Sequence, residues 1–221
     1  MASQLASDLQ VVSGLAASQL DPLWTIDNPD LLSAAVYEVL PPLVDQWALA
    51  SSAVAADWYD AEREQANIDG TFRAIVEPLA DLGTSALVGW ATEPLRQAVP
   101  DLAAVKYRAV GGLQKRLANS ANYTITGSSK ADPQARGWMR TTRPGGCDFC
   151  KMVASRGAVY TEKTVRFACH EHCHCAARPA WSGRELPVQP YTPSEITSAM
   201  TPEQRKALNR QSNAWIKANL T

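Results

Sequence analysis

The sequence predicts an α+β fold that is mainly α-helical, with long N-terminal helices, a small module rich in cysteine and histidine, and a C-terminal helix. Three observations predict it. Apolar residues recur at helical spacing through residues 1–121, and alanine is frequent between them. All five cysteines and all three histidines lie between positions 147 and 175. Several prolines then separate this cluster from a last stretch that begins with helix-capping residues.

We therefore expect three regions in the chain of 221 residues. Residues 1–121 should form an acidic helical region, either a bundle or an extended docking arm. Residues 122–182 should form a small basic α+β module, and residues 183–221 a proline-rich linker with a terminal helix. An apolar content of 46% is ample for a hydrophobic core. Every apolar run is well short of the roughly 20 residues of a membrane span, so we expect no membrane partner.

Prolines and capping residues set the expected ends of the longest helix. Asn28 can cap it, with Pro29 in its first turn, because an asparagine side chain accepts bonds from amides that a helix start leaves open. The helix should run to about residue 67. An interruption is expected at Pro41 and Pro42, since proline removes a backbone donor from the helix interior.

Other helices are expected on either side of it. A first amphipathic helix should cover residues 2–20, and a further helical stretch residues 71–99. Asp101 should cap a last helix of this region, broken or bent at the paired glycines 111–112 and ending near Ala121.

The rest of the fold should alternate short strands with turns, at residues 123–126, 137–142, 158–160, 165–167 and 174–177. A loop at 127–130 and a short helix from Asp132 toward Arg136 should connect the first two strands. A module of about 60 residues buries too little apolar surface to be firmly stable alone, so a bound metal is the expected staple. Thr201 and Gln204 should form a capping box at the start of the terminal helix.

The cysteine and histidine cluster predicts one structural zinc ion per chain. Cys147 and Cys150 form a C-x2-C turn that places two sulfurs on one side of an ion. His170, with Cys173 or Cys175, can supply the other two donors of a tetrahedral site, and Zn²⁺ prefers such thiolate and imidazole ligands. Cys173 and Cys175 are two residues apart and would share one face of a strand, so either could be the fourth ligand.

Other interpretations of the cluster remain open. Two disulfides with a spare thiol would need an oxidising compartment, and no basic stretch followed by an apolar one marks the N-terminus as a secretion signal. Residues 170–174 match the letters H-E-x-x-H of zinc proteases, but their flanks are too short and too sulfur-rich for the required helix. The cysteines would also close the site against the water that a zinc hydrolase needs. A His-Asn-His-type nuclease would lack a separate catalytic histidine, so we expect no enzyme.

Charge is unevenly distributed, although the net charge is only −1. Residues 1–104 hold 15 acidic and 3 basic residues, a net charge of −12. Residues 105–221 hold 7 acidic and 18 basic residues, a net charge of +11. The halves could attract each other, or these could be ordinary solvated faces. The basic half could instead contact nucleic-acid phosphates, through Lys106, Arg108, Lys115, Arg116, Arg136, Arg140 and Arg143.

Four short stretches, taken together in their order, carry a resemblance to a known family. They are Trp138-Met-Arg-Thr, Gly146-Cys147-x-x-Cys150, Ala154-Ser-Arg-Gly-Ala-Val-Tyr160 and His170-x-His-Cys173-His-Cys175. Residues 55–60 and 132–135 fit the same pattern. On these stretches the chain resembles the Mu F-like minor capsid proteins of tailed phages, in particular the type found in actinobacteriophages. The resemblance covers roughly residues 45–180, and its specific part is the cysteine–histidine block.

The resemblance implies a minor structural protein of the phage head, located inside the capsid near the portal. Its partners would be the portal protein and the major capsid protein, with packaged DNA facing the basic half, and it would have no small-molecule substrate. It would assist head assembly, DNA packaging or ejection without catalysis, in the virion and, during assembly, in the host cytoplasm. The alternative function is a zinc-containing nucleic-acid-binding protein, and the third is a zinc hydrolase.

Overall fold

The computed structural model describes residues 2–142 and 175–181, with positions 151, 154, 201–204, 206, 207 and 210. Its elements are, in chain order, α1 (Ala2–Ser18), a 3-10 turn (Asp21–Thr25), α2 (Pro29–Gln65), α3 (Thr84–Thr92), a second 3-10 turn (Glu93–Arg96), α4 (Leu102–Ala131), β1 (Gly137–Thr142) and β2 (Cys175–Ala180). The prediction of a mainly helical chain with long N-terminal helices is confirmed. None of the described helices combines the length and the apolar character that crossing a membrane requires.

Three helix starts have the caps that the sequence predicts. Asn28 accepts hydrogen bonds from the amides of the second and third residues of α2, both at 3.0 Å. Asp101 accepts one from the amide of Ala104 at 2.9 Å. Thr201 and Gln204 each bond the other's backbone amide, at 3.3 and 2.8 Å, which completes the capping box. Each device lies within four residues of sequence, so the local residue types are enough to predict it.

The predicted interruption of α2 at Pro41 and Pro42 is wrong, because the helix continues through both to Gln65. A proline inside a helix costs about 3 kcal/mol or more. The flanking residues Leu40 and Val44 are fully buried, and burial of each such side chain contributes about 1.5 to 3 kcal/mol. Packing on both sides of the prolines therefore offsets the lost backbone bonds and keeps the axis helical.

The predicted helical stretch at residues 71–99 is correct only for its second half. Residues 84–92 form α3 and residues 93–96 a 3-10 turn, while residues 71–83 contain no helix. Side chains of α2 and α4 bond the backbone of this irregular part: Asp60 accepts from the Ala74 amide at 2.9 Å, Ser128 from the Ile75 amide at 3.1 Å, and Thr124 donates to the Glu77 carbonyl at 2.9 Å. These bonds satisfy backbone groups that a helix would have paired internally.

α4 is ten residues longer than predicted and ends at Ala131. The strand expected at 123–126 and the loop expected at 127–130 are therefore wrong, and the short helix expected from Asp132 is only a turn. Ile125 is fully buried on the inner face of the helix. Its burial against the rest of the bundle overrides the β-propensity of the local sequence. α4 also crosses residue 121, where the first region was expected to end, and the division into domains stays a prediction.

Gly112 allows α3 to approach α4 closely. A Cβ atom at Gly112 would lie 2.1 Å from Cδ1 of Leu87 on α3, a distance that real atoms do not reach. α4 runs through Gly111 and Gly112 without a break. The glycine therefore serves packing between two helices.

β1 and β2 form an antiparallel pair that runs from Gly137 opposite Ala180 to Thr142 opposite Cys175. The strand predicted at 137–142 is confirmed. The strand predicted at 174–177 is found in its described part and continues to Ala180. The strands predicted at 158–160 and 165–167 lie outside the described residues.

The interior has two apolar clusters at opposite ends of the long helices. The helical core joins the end of α1, the first half of α2, α3 and the first half of α4; its buried members include Leu20, Leu32, Val36, Leu40, Leu87 and Leu113. The sheet core joins the start of α1, the ends of α2 and α4 and both strands; its members include Leu5, Tyr59, Ile125, Trp138 and Ala177. Both long helices contribute to both cores.

Candidate functional site

The structure places the two ends of the cysteine–histidine segment next to each other. β1 ends at Thr142 and β2 begins at Cys175, and these residues are opposite each other in the antiparallel register. Opposed residues in such a pair have Cα atoms about 4.5 to 5.5 Å apart. The segment 143–174 therefore starts and finishes at one place on the molecule. We call β1 and β2 together the strand base.

Four of the five predicted zinc ligands, Cys147, Cys150, His170 and Cys173, lie outside the described residues. Among the residues that the structure describes, no three His, Cys, Asp or Glu side chains lie together as a metal site would require. The zinc site thus stays a prediction, and only Cys175 can be placed.

Cys175 is buried at the start of β2. It lines a small cleft of about 50 Å³, whose other walls come from α1, α4 and β2: Ala6, Leu9, Gln10, Ser13, Gln114, Ala118 and Ala176. Mostly small and apolar neighbours suit a packed thiol. That either Cys173 or Cys175 completes a metal site stays a prediction.

The Asn122 side chain on α4 is hydrogen-bonded to the backbone of β2. Its side-chain oxygen accepts a hydrogen bond from the Ala177 amide at 2.6 Å, and its amide group donates to the Cys175 carbonyl at 3.3 Å. The same group donates to the Ala118 carbonyl of its own helix at 2.7 Å. Asn122 is fully buried. A buried amide that pairs with two backbone groups of one strand fixes that strand against the helix.

Arg63 and Asp132 form an ion pair inside the protein, with Nε 3.0 Å from Oδ2 and both side chains almost inaccessible. The guanidinium also donates to the carbonyls of Ile68, Asp69 and Gly70 at 2.5 to 3.1 Å, so four of its five N–H donors are used in these bonds. We call Tyr59, Arg63 and Asp132 the buried ion-pair cluster. It joins the end of α2, the chain that leaves α2 and the end of α4.

Tyr59 completes this cluster, donating its hydroxyl to Oδ2 of Asp132 at 3.2 Å. Burial, followed by the nearby Asp132 carboxylate, raises the pKa of Tyr59 far above its ordinary value of 10.0. Its ring meets those of Phe72 and Trp181 edge to face, with centroids 6.1 and 5.5 Å away. Tyr59 is therefore a permanent hydrogen-bond donor in the folded protein at neutral pH.

A second ion pair joins α2 directly to β2. Arg178 lies 2.7 Å from Oε2 of Glu62, whose side chain is 4% exposed, whereas that of Arg178 is 36% exposed. Glu62 and Arg63 are adjacent on α2, so one turn of this helix binds both the strand base and the end of α4.

The chemistry of this site is that of a support. The side chains of Asn122, Arg63 and Asp132 form hydrogen bonds with backbone and side-chain partners inside the protein. The raised pKa keeps the Tyr59 hydroxyl protonated at neutral pH, so it donates its hydrogen bond to Asp132. What the arrangement can do is hold both ends of the segment 143–174 at a fixed place on the helices.

The predicted nucleic-acid residues that the structure describes differ in how far they are exposed. Arg140 is buried on β1. Arg116 is half-buried and donates to the carbonyls of Gly83 and Gly112, at 2.8 and 3.1 Å. Lys115 is half-buried and Arg136 is exposed.

Of the remaining basic candidates, Lys106 lies over the ring of Trp24, and Arg108 over that of Trp90. Arg143 lies outside the described residues. The placement of Arg116 and Arg140 favours structural roles for these two, while contact with nucleic acid stays a prediction.

Sequence reasoning missed the residues that hold the strand base. Tyr59 and Arg63 are four apart on α2, and this spacing on an alanine-rich helix was the available signal of a polar face directed inward. Asn122 gave no such signal, because its partners on β2 are more than fifty residues away in sequence.

Comparison with known proteins identifies one family. The family model described as VG15 protein matches residues 1–202. No curated protein and no solved structure matches the chain.

Proposed function

We propose that this chain, which belongs to the VG15 protein family, is a minor structural protein of a tailed-phage head that acts without catalysis. The observation that carries the proposal is the strand base. The buried side chains of Asn122 and Glu62 bond β2, whose register with β1 places the two ends of the segment 143–174 side by side. Such an arrangement suits a scaffold that presents a module to other proteins better than it suits a site that turns over a substrate.

We infer a role in the phage head from the resemblance to Mu F-like minor capsid proteins. Of its four stretches, Trp138 to Thr141 now falls within β1, with Trp138 buried in the sheet core. The stretches 55–60 and 132–135 contain Tyr59 and Asp132, two members of the buried ion-pair cluster that are hydrogen-bonded to each other. Parts of the resembling pattern that are distant in sequence thus meet at the strand base, which is expected if the pattern describes one structural module.

The same resemblance supplies the proposed partners and location. The protein would lie inside the head near the portal, bound to the portal protein and the major capsid protein. We retain one structural zinc ion per chain as the proposed cofactor, with Cys147, Cys150, His170 and either Cys173 or Cys175 as its ligands. Zinc would add folding free energy to the segment that the strand base presents.

The experiment that tests this function is co-expression of the tagged full chain with the portal and major capsid proteins of the same phage. We expect affinity capture to retain one or both partners at 0.5 M salt, roughly where non-specific contacts with DNA are screened. A portal protein from an unrelated phage is the matched control and should not be retained.

Retention of DNA alone, lost between low and high salt, would reject the head assignment and favour the alternative of a zinc-containing nucleic-acid-binding protein. Hydrolysis of a peptide or nucleic acid that depends on added zinc would instead favour the third function.

A further inference from the structure

The chain between α2 and α3, residues 66–83, runs along α2 and α4 without regular structure of its own. Its first three amides still bond carbonyls of α2, but from Asp69 to Leu82 no backbone–backbone hydrogen bond joins it to a described residue. A connection of this length without a helix or strand is uncommon in a compact domain, and such connections are usually functional or disordered. We call residues 69–82 the strap.

An arginine of a long helix holds each end of the strap. At its start, Arg63 of α2 donates to the carbonyls of Asp69 and Gly70. Just beyond its end, Arg116 of α4 donates to the carbonyl of Gly83 at 2.8 Å. Hydrogen bonds from a charged donor are stronger than those between neutral groups. The two ends of the strap are therefore fixed to α2 and α4.

Between the arginines, three short polar side chains bond the backbone of the strap. The Ala74 amide donates to Asp60 of α2 at 2.9 Å, and the Ile75 amide donates to Ser128 of α4 at 3.1 Å. Thr124 of α4 donates to the carbonyl two residues after Ile75, at 2.9 Å. The bonds come from two helices, so the strap lies between α2 and α4.

The strap covers part of the sheet core but buries little apolar surface of its own. Phe72 and Ala74 pack against this core and are only partly buried. The ring of Phe72 meets that of Tyr59 edge to face, with centroids 6.1 Å apart. Ile75 and Val76 are 50% and 47% exposed. Because hydrophobic stabilisation grows with the apolar area removed from water, it contributes little to holding the strap.

We propose that the strap opens as one unit while the helical core and the sheet core stay folded. Segments with few buried apolar contacts open at a lower free energy than packed helices do. The ends held by arginine act as hinges, and the stretch between them, with Phe72, moves away from the sheet core. Opening exposes the ring of Tyr59 and releases the side chains of Asp60 and Ser128. The strap is thus a lid over a partly apolar groove between α2 and α4.

Hydrogen exchange of the full-length chain tests this opening, measured by NMR at pH 7 and several urea concentrations below the unfolding transition. The amides of Ala74 and Ile75 report on it, because both are hydrogen-bonded while the strap is closed. Relative to intrinsic rates, we expect both to exchange about a hundredfold faster than the Leu117 amide in the helical core, a ratio that corresponds to about 2.8 kcal/mol. Their rates should depend little on urea, because a local opening exposes little surface.

Two variants test whether the strap moves as one unit. Asp60→Ala removes the acceptor of the Ala74 amide, and Ser128→Ala removes that of the Ile75 amide. If the opening is cooperative, each variant accelerates exchange at both amides by about fivefold to tenfold. The matched control is Asp57→Ala, since Asp57 is exposed one turn earlier on the same helix and is outside the bonds to the strap. It should leave both rates unchanged.

Exchange of the Ala74 and Ile75 amides with the rate and urea dependence of Leu117 would overturn the proposal, because the strap would then open only with the whole molecule. Acceleration confined to the amide whose own acceptor was removed would overturn it too, since the residues would then open one at a time. Trypsin gives an independent measurement, because the side chain of Arg73 in the strap is 78% exposed. Cleavage after Arg73 should be faster in Asp60→Ala than in Asp57→Ala by the same factor as exchange, and equal cleavage would contradict a lid.

Discussion

The two ends of the helical bundle are held together in different ways. The helical core is mainly apolar, with leucine, valine and alanine side chains from α1, α2, α3 and α4, and the buried Thr92 of α3 donates its hydroxyl to a carbonyl of its own helix. The sheet core has an apolar centre but is bordered by buried polar groups, namely the ion-pair cluster, Asn122 and Glu62. Burial of apolar surface, which has no preferred direction, therefore dominates at the first end. At the other end, hydrogen bonds and ion pairs specify how the two strands are attached, and with them the 32-residue segment 143–174.

The transition between the two ends lies at the same level on both long helices. On α2 it falls at Ser51 and Ser52, between the last helical-core residue Val44 and the first sheet-core residue Ala55. On α4 it falls at Ser120. All three serines are fully buried, and their hydroxyls have no hydrogen-bond partner among the described residues. The residues at this transition are therefore small and polar, whereas those on either side of it are apolar.

The helices are joined mainly by apolar packing, whereas attachment of the strand pair depends on specific polar partners. A helix satisfies its own backbone groups, so its packing can rely on burial alone. An isolated two-stranded sheet is marginally stable and has edges with unpaired backbone groups. Asn122 pairs two backbone groups of β2, and the ion pair between Glu62 and Arg178 attaches the same strand to α2.

Removal of one partner of the buried ion pair should have the largest effect. Asp132→Ala leaves Arg63 with an uncompensated charge in the interior, and such a change costs about 3 to 5 kcal/mol. Urea unfolding measures the loss. Asp69→Ala is the control, because this nearby aspartate is exposed and bonds Arg63 only through its backbone carbonyl. A loss below about 1 kcal/mol in Asp132→Ala would mean that polar bonds do not hold this end.

A methyl group added in the helical core should have the next largest effect. Gly112→Ala forces its Cβ into Leu87, and overpacking of this kind costs about 1 to 3 kcal/mol. Gly89→Ala on α3 is matched, since its Cβ would meet nothing within 4 Å. It should gain about 0.5 to 1 kcal/mol from helix propensity. Thermal unfolding of both variants distinguishes packing from propensity, and two changes of the same sign would contradict the close approach of α3 to α4.

Loss of Asn122 should loosen the strand base more than the rest of the molecule. Asn122→Ala leaves the Ala177 amide and the Cys175 carbonyl without their helix partner, at a cost of about 1 to 3 kcal/mol. We expect amide hydrogen exchange to accelerate at Ala177 by about tenfold or more, with little change at Leu113 in the helical core. Tyr123→Ala, on an exposed neighbour, is the control. Equal acceleration at both ends would mean that the two cores unfold as one unit.

The smallest expected effect is that of the Tyr59 hydroxyl, and it depends on pH. Tyr59→Phe removes one hydrogen bond to Asp132 and should cost about 1 kcal/mol at pH 7. Because the folded protein raises the pKa of Tyr59, the stabilisation is complete below pH 10.0, the ordinary pKa. Above that pH only the unfolded state releases the proton, so the wild-type chain loses stability. The difference between the two proteins falls by about 1.4 kcal/mol by pH 11, which cancels it.

Unfolding measurements on both proteins from pH 8 to pH 11 test this sign. Other tyrosines and lysines titrate in both, so the difference isolates Tyr59. A difference that grows with pH would contradict a raised pKa.

Features that depend on neighbouring residues could be predicted from the sequence. The caps at Asn28, Asp101 and Thr201, and the strand at 137–142, follow from residue types within a few positions. The same local information failed at Pro41, Pro42 and residues 123–130, where burial in a bundle overrides weak local preferences.

Contacts between residues that are distant in sequence could be found only in the folded structure. Arg63 and Asp132 are 69 residues apart in the chain, and Asn122 and its β2 partners 53 and 55. No periodicity marks such pairs, because each depends on how whole helices pack. The proposed zinc ligands are the opposite case, because their residue types and spacing alone predict a metal site. The strand base that brings their segment's two ends together is a product of the fold.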